Sequence, residues 1–395
     1  MNKIQRLLQE HCPNGVEWKT LGEVARLEKG KQLNKTALLE EGAYPAYNGG
    51  VSFSGFTNTY NYKENTIIIS QGGASAGFVN FVTTKFYANA HCYVILPNTE
   101  LVENRFVYHL LKSSQEILMS RQLGAGIPAL RTSEILGIPI PLPPLPIQEE
   151  IVRILDKFTT LEAELEAELE ARKKQYEYYK DNLLTFGDEA EWKALGEVGA
   201  FVRGSGLQKI DLTTSGIPAI HYGQIYTYYG VSVEQTISFV TPKTANGLKK
   251  VDYGDVIITN TSENLEDVGK AVFYSVKEQG VTGGHATIFK PSKEIIGKYL
   301  VYYTQTAEFS NQKRKYAKGT KVIDVSANDL AKITVPIPYP NDTKKSLEEQ
   351  ARIVAILDRF DTLVNSISEG LPKEIALRRK QYEYYREQLL SFPKR

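Results

Sequence analysis

The chain repeats itself, and the repeat sets what it can fold into. "EWKTLGEV" (Glu17–Val24) returns as "EWKALGEV" (Glu191–Val198). "NTIIISQ" (Asn65–Gln71) resembles "GDVIITN" (Gly254–Asn260), and "IPIP" (Ile138–Pro141) resembles "TVPIP" (Thr334–Pro338). "QEEIVRILDKFTTL" (Gln148–Leu161) matches "QARIVAILDRFDTL" (Gln350–Leu363). Each copy then closes on a Tyr-rich phrase, "RKKQYEYYKDNLLTF" (Arg172–Phe186) and "RRKQYEYYREQLLSF" (Arg378–Phe392). The order of blocks predicts two similar globular regions, each followed by a long helix.

The globular regions contain short β-branched runs, such as "NTIIIS", "CYVIL", "DVIIT" and "ATIF", broken by Gly, Asn and Ser. Each also carries a helical stretch, "ENRFVYHLLKSSQEILMSR" or "GKYLVYYTQTAEFSNQKRK", and leaves through a Pro-rich extended segment. The expected class is α+β. The expected division is an N-terminal helical segment over 1–16, globular domains over 17–145 and 189–342, and helices over 146–188 and 343–395.

The helices show the strongest periodicity. Ile151, Leu155, Phe158, Leu161, Leu165, Leu169, Tyr176, Tyr179, Leu183 and Phe186 step by three and four residues, with two steps making one gap, and form one apolar stripe. The second copy repeats the stripe from Ile353 to Phe392, and "EGLP" (Glu369–Pro372) should kink or break it. Such a stripe must be covered. Pairing with the other copy, antiparallel about a pseudo-twofold axis, is the economical expectation; separate dimerisation helices are the alternative.

Composition narrows the function. A net charge of +1 among 24% charged residues excludes a uniformly basic nucleic-acid coat but leaves room for local basic patches. Two cysteines, Cys12 and Cys92, exclude a disulfide framework and a Cys-rich zinc site, and fit a reducing compartment. "MNKIQRLLQEHC" is short, polar and amphipathic, unlike a signal peptide, and no apolar run reaches transmembrane length. A cytoplasmic protein with no membrane association is expected. There is no G-x-G-x-x-G after a strand, no P-loop, no Asn-Pro-Pro-aromatic tetrapeptide and no H-E-x-x-H pair. His91 and His285 occupy equivalent places, in "NAHCYVI" and "GGHATIF", and read as structural residues at strand starts.

The scaffold is duplicated, but its polar loops are not. After matching strands one copy has "SQGGASAG" (Ser70–Gly77) and the other "TNTSENLEDVG" (Thr259–Gly269). Gln71 and Asn260 share an offset, and such amides can contact base edges, adenine above all. A second variable loop is "SRQLGAGIPALRTSE" (Ser120–Glu134) against "NQKRKYAKGTKVIDVSAN" (Asn311–Asn328); a third follows "YPAYNGG" and "IPAIHYGQI". Lys313, Arg314, Lys315, Lys318 and Lys321 form a basic run suited to phosphate. Candidate DNA-contacting residues are therefore Asn48, Gln71, Gly72, Arg121, Gln122, Gln224, Asn260, Thr261 and these five cations. Ordinary turns and a solvated charge run are the bland readings. Two similar readers with different loops suit a ligand with two recognition elements at fixed separation, and duplex DNA is the natural candidate.

The "CPNGVEWKTLGEV" opening, the "PLPPLPIQEEIVRILDKF" exit, the Leu-Glu-Ala-Glu repeat and both Tyr-rich helices resemble the specificity subunit of type I restriction–modification enzymes. The resemblance covers essentially the whole chain. It implies two target-recognition domains reading a bipartite double-stranded DNA target, and a spacer of two antiparallel helices. It also implies docking of two modification (methyltransferase) subunits, joined by motor–nuclease restriction subunits. It implies a non-catalytic chain without cofactors of its own, S-adenosylmethionine, ATP and Mg²⁺ belonging to the partners. Two partner copies gripping equivalent faces would account for the repeated phrase, with Tyr176, Tyr178, Tyr179, Tyr382, Tyr384 and Tyr385 as partner-binding candidates. A structural coiled-coil adapter whose domains bind protein, and a self-sufficient DNA-cleaving enzyme, are the competing readings. The second needs a carboxylate cluster that the sequence does not supply.

Overall fold

The computed structural model describes residues 3–121 and 129–393. It divides into two compact units, Met1–Glu166 with Glu374–Arg395, and Ala167–Lys373. The division cuts across the two copies. The long helix Leu145–Leu183 contributes its first part to the first unit and its later part to the second. Helix Thr343–Asn365 belongs to the second unit, and nearly all of helix Gly370–Leu390 to the first. Each Tyr-rich phrase thus sits with the globular half of the opposite copy.

In the first unit a four-stranded antiparallel sheet runs in the order Ala25–Lys29, Cys92–Pro97, Thr66–Ser70, Val79–Val82. Strand Thr66–Ser70 is buried at every position. Ile67 and Ile69, with Tyr93 and Ile95, pack with Phe106, Val107, Leu110 and Leu111 of helix Asn104–Ser113. Ile68 and Val94 cluster instead with Phe86 and Ala88 beside the sheet of Gly55–Thr57, Tyr44–Tyr47 and Tyr87–Ala88. A strand covered on both faces is written as a continuous apolar run, because every side chain leaves water. Each such isoleucine contributes roughly 1.5–3 kcal/mol by burial.

The second unit repeats the plan with more strands. Its main sheet orders Gly199–Arg203, Ala286–Pro291, Val256–Thr259, Ala271–Tyr274 and Ser232–Val233. Val256 and Ile258 cluster with helix Gly297–Tyr303, while Ile257, Val272 and Ile288 fill the other side. A second sheet orders Ser238–Val240, Ile217–Ile220, Gly280–Thr282 and Lys249–Val251.

The recurring blocks have specific jobs. Glu17–Thr20 pairs antiparallel with the exit strand Pro139–Leu142, Trp18 opposite Pro141; Ala190–Ala194 pairs likewise with Thr334–Pro338, Trp192 opposite Pro336. A two-stranded ribbon tolerates these prolines because each strand is an edge. The glutamate of each "LGEV" closes the turn: Thr20 N–H donates to Glu23 (2.7 Å) and Ala194 N–H to Glu197 (2.8 Å). Gln148 and Gln350, both fully buried, anchor the following helices. Gln148 Oε1 accepts from Glu103 N and Gln350 Oε1 from Ile296 N, each at 2.8 Å.

In the first unit Phe158 stacks on Tyr385 at 5.2 Å, and Arg379 pairs with Glu162 and Glu166. Residue numbers rise on one helix as they fall on the other, so these segments run antiparallel. In the second unit Tyr176 and Tyr179 stack on Phe360 at 6.1 and 5.4 Å. The helix is broken as the "EGLP" signal requires: one helix ends at Asn365 and the next starts at Gly370. Gly370 has φ +75°, and a Cβ there would lie 2.4 Å from the Thr362 carbonyl, so only glycine fits.

Candidate nucleic-acid interface

In both units the strands deliver polar residues to one end of the sheets, laced by equivalent backbone bonds. Gly30 N–H donates to Cys92 O and Gln71 N–H to His91 O; Gly204 N–H donates to Ala286 O and Asn260 N–H to His285 O, all at 2.9 Å. Asn48 and His91 are exposed at this end in the first unit, and Thr261 and His285 are exposed or half-buried in the second. Gln71 is half-buried, and its carbonyl accepts from Leu130 N at 2.8 Å. Gly72 bridges to Ala129. Arg121 is exposed and pairs with Glu134 at 3.3 Å. Gln122 lies outside the described residues.

Several expectations are corrected in the second unit. Asn260 is not available to a base: it is 0% exposed. Its Nδ2 donates to Val325 O (2.9 Å) and its Oδ1 accepts from Thr287 Oγ1 (2.7 Å). The reason is the next segment, since Thr261–Ser262 pairs with Ile323–Asp324 and brings the later loop over residue 260. Gln224 is also committed internally, accepting from His221 N (3.1 Å) and donating to Ser238 Oγ (2.6 Å). Lys313 is 3% exposed; its ammonium donates to the carbonyls of Val268 (2.6 Å) and Glu266 (3.0 Å), and burial pulls its pKa down to about 8. It cannot serve as a phosphate contact there. Thr261 Oγ1 lies 3.0 Å from His285 Nδ1.

Arg314, Lys315, Lys318 and Lys321 are exposed. Lys318 reaches Asp329 at 3.3 Å, a carboxylate that Lys332 also holds at 2.8 Å. Among the described residues Arg314, Lys315 and Lys321 have no ion pair. Neutralising Arg314 and Lys321 together should weaken binding of the assembled complex to all DNA sequences alike. It should flatten the dependence of log K on log[salt] by about one unit per lost contact. A salt titration of binding checks this, and an unchanged slope means the loop faces away from DNA.

The tyrosines divide by depth. Tyr178 and Tyr384 are 66% and 60% exposed, and Tyr179 and Tyr385 are partly covered by Phe360 and Phe158. Tyr176 and Tyr382 are buried, so as partner contacts they are corrected to core residues. Tyr382 Oη lies 3.0 Å from His109 Nδ1, and burial pushes its pKa up to about 12. Burial raises the Tyr176 phenol as well.

A joint that sequence reasoning missed fixes each globular half to its helices. Asp156 accepts from Arg105 Nε (3.0 Å) and lies 2.8 Å from His109 Nε2. Asp358 accepts from Lys298 Nζ (2.9 Å) and Tyr302 Oη (2.5 Å). The repeated Ile-Leu-Asp was the available signal: its carboxylate recurs at one position of an otherwise apolar stripe. Among the described residues no cluster of three or more His, Cys, Asp or Glu is arranged to hold a metal, and no helix is long and apolar enough to cross a membrane.

Comparison with known proteins matches this architecture to one family. The model of the type I restriction modification DNA specificity domain matches residues 13–171 and 188–377. The EcoR124I/EcoR124II type I restriction enzyme specificity subunit of Escherichia coli is 34% identical over 96% of this chain and 95% of its own length. A putative type I restriction enzyme specificity subunit of Haemophilus influenzae, S.HindORF215P, is 32% identical over 95% and 96%. In fold, the crystal structure of a type I restriction–modification S subunit from M. genitalium covers 96% of this chain and 97% of its own, with TM-score 0.63 at 21% identity.

Proposed function

The chain belongs to the type I restriction–modification DNA specificity family, and on that premise we propose that it is the DNA-reading, non-catalytic subunit of such a system. Two target-recognition domains, over 17–145 and 189–342, each read one half of a bipartite duplex target. The helices form an antiparallel spacer about a pseudo-twofold axis and dock two modification subunits, with Tyr178, Tyr179, Tyr384 and Tyr385 on the contact faces. Restriction subunits join that assembly in the cytoplasm. S-adenosylmethionine, ATP and Mg²⁺ act in the partners.

The observation that carries the reading is the pair of equivalent sheet ends. The same backbone bonds hold them, yet one presents Asn48 and Gln71 while the other presents His221, Tyr222 and Thr261. One scaffold with two sets of exposed polar groups suits two different half-sites. The joints at Asp156 and Asp358 support it too, because a reader must be fixed to its spacer.

The test is a length change. "LEAELEAELEA" (Leu161–Ala171) lies within helix Leu145–Leu183. Removing one Leu-Glu-Ala-Glu unit shortens the helix by about 6 Å, at ~1.5 Å per residue, and misaligns its stripe by only about 40°. With ~3.4 Å per base pair, the gap between half-sites should shrink by about one or two base pairs, with both halves unchanged. The methylated motif of a host expressing the deletion with wild-type partners reads this out. An unchanged gap would mean that the helices do not set the distance.

A further inference from the structure

The block "YPAYNGG" places Asn48 and Gly49 where "IPAIHYGQI" places His221 and Tyr222. The fold keeps the correspondence: Tyr44–Tyr47 pairs parallel with Tyr87–Ala88, and Ile217–Ile220 pairs parallel with Gly280–Thr282. In the first unit Gly49, at φ +80°, lays bare backbone on His91, and a Cβ would fall 2.8 Å from the His91 carbonyl. In the second unit a phenol ring fills the equivalent place. Tyr222 lies between two imidazoles, with centroids 4.5 Å from His221 and 4.8 Å from His285.

This cluster is only partly internal. His285 is exposed, and His221 and Tyr222 are half-buried. His221 Nδ1 accepts from Gly223 N at 3.2 Å, which leaves the proton on Nε2. His285 Nδ1 faces Thr261 Oγ1, whose own carbonyl is held by Tyr226 Oη. Among the described residues neither imidazole Nε2 nor the Tyr222 hydroxyl has a hydrogen-bond partner. None of the three is a buried atom lacking a partner, so solvent can satisfy them in the free chain and they stay available to a ligand at this end of the sheets. Exposed Arg203, whose Nε donates to Gly284 O at 3.4 Å, and exposed Lys209 flank them and suit phosphate.

We infer that the His221–Tyr222–His285 edge is the base-reading element of the second unit, with the His221 Nε2–H donor and the open edge of His285 set against the N7 and O6 acceptors of a guanine in the major groove. The inference rests on the reading of this chain as a DNA-specificity subunit. The substitution of Gly49 by Tyr222 within one scaffold is then a difference in specificity between the two readers.

The test uses the full chain assembled with its modification subunit. One variant, H221N with Y222G, installs the first unit's residues; Asn is a favoured helix N-cap, so the turn His221 now caps is kept. H285Q is the second variant. The methylated motif in a host, and competition binding with base-substituted duplexes, are measured beside thermal melting. In one half-site a G·C position should lose discrimination by about 5- to 150-fold, and the other half should stay intact. Unchanged discrimination in both variants overturns the inference, as does a lowered melting temperature with discrimination retained. Relaxation at A·T positions alone would contradict the donor assignment. A wild-type complex with no bipartite motif would overturn the specificity-subunit reading itself.

Discussion

Replacing Asn260 with alanine should lower the melting temperature of the second unit by roughly 6–16 °C and leave base discrimination intact in any complex that still folds. The substitution strands the Val325 carbonyl and the Thr287 hydroxyl, both of which Asn260 now satisfies inside the domain. A buried polar group without its partner costs about 1–3 kcal/mol, so two amount to about 3–4 kcal/mol once hydroxyl rotation relieves part of the second. At roughly 2–4 °C per kcal/mol for a unit of this size, the shift is large enough to read by calorimetry. Relaxed specificity with unchanged melting would restore Asn260 as a base contact. Gln71, at the same offset in the first unit, is half-exposed and should show the opposite pattern.

Removing the carboxylate of Asp156 should destabilise the first unit by about 2–3 kcal/mol, discounted because that side chain is one-third exposed. Arg105 and the fully buried His109 would lose their common acceptor. The same joint makes the first unit acid-sensitive. Burial holds the His109 pKa below its ordinary value; the Asp156 carboxylate opposes the shift, and Arg105 and Arg386 reinforce it. The unfolded imidazole takes up a proton below about pH 6.5, while the folded one resists it, so stability is lost as pH falls through that region. Asp156 itself, held below the usual carboxylate range by His109 and Arg105 against its burial, adds a loss only in more acidic solution, below about pH 4. His109→Gln should remove the pH slope between about 6.5 and 5. The second unit's joint at Asp358 uses Lys298 and Tyr302 and carries no imidazole; the acid-sensitive group there is His221 instead, whose pKa burial holds below its ordinary value.

Much of this fold is legible in the amino-acid sequence. Burial on both faces is written directly in "TIIIS" and "VIIT", and the broken helix in "EGLP", because periodicity and backbone chemistry are local. What stayed hidden depends on distant segments. Gln71 and Asn260 look equivalent, and the later loop bonds to the carbonyl of each, yet only the Asn260 side chain is fully buried and held by that loop and Thr287. Lys313 sits within a basic run, but it follows the buried Phe309 by one helical turn, and that shared face draws it inward. Its methylenes cross the core and its ammonium finds carbonyls. His109 meets Tyr382 from 273 positions away, a contact no spacing announces. The Tyr222–His285 edge was half visible: the histidine stood out as a repeated residue, and its ring partner came from the start of the short helix Tyr222–Thr227, remote in sequence.

The proposed function requires one chain to read two half-sites through two domains. Sequencing the methylated bases of a host that expresses this chain with its modification subunit tests it most directly. The expected result is one methylated motif made of two specified, unequal halves separated by an unspecified gap of fixed length. A single uninterrupted motif, or a methylation pattern that does not change when this chain is removed, would contradict it.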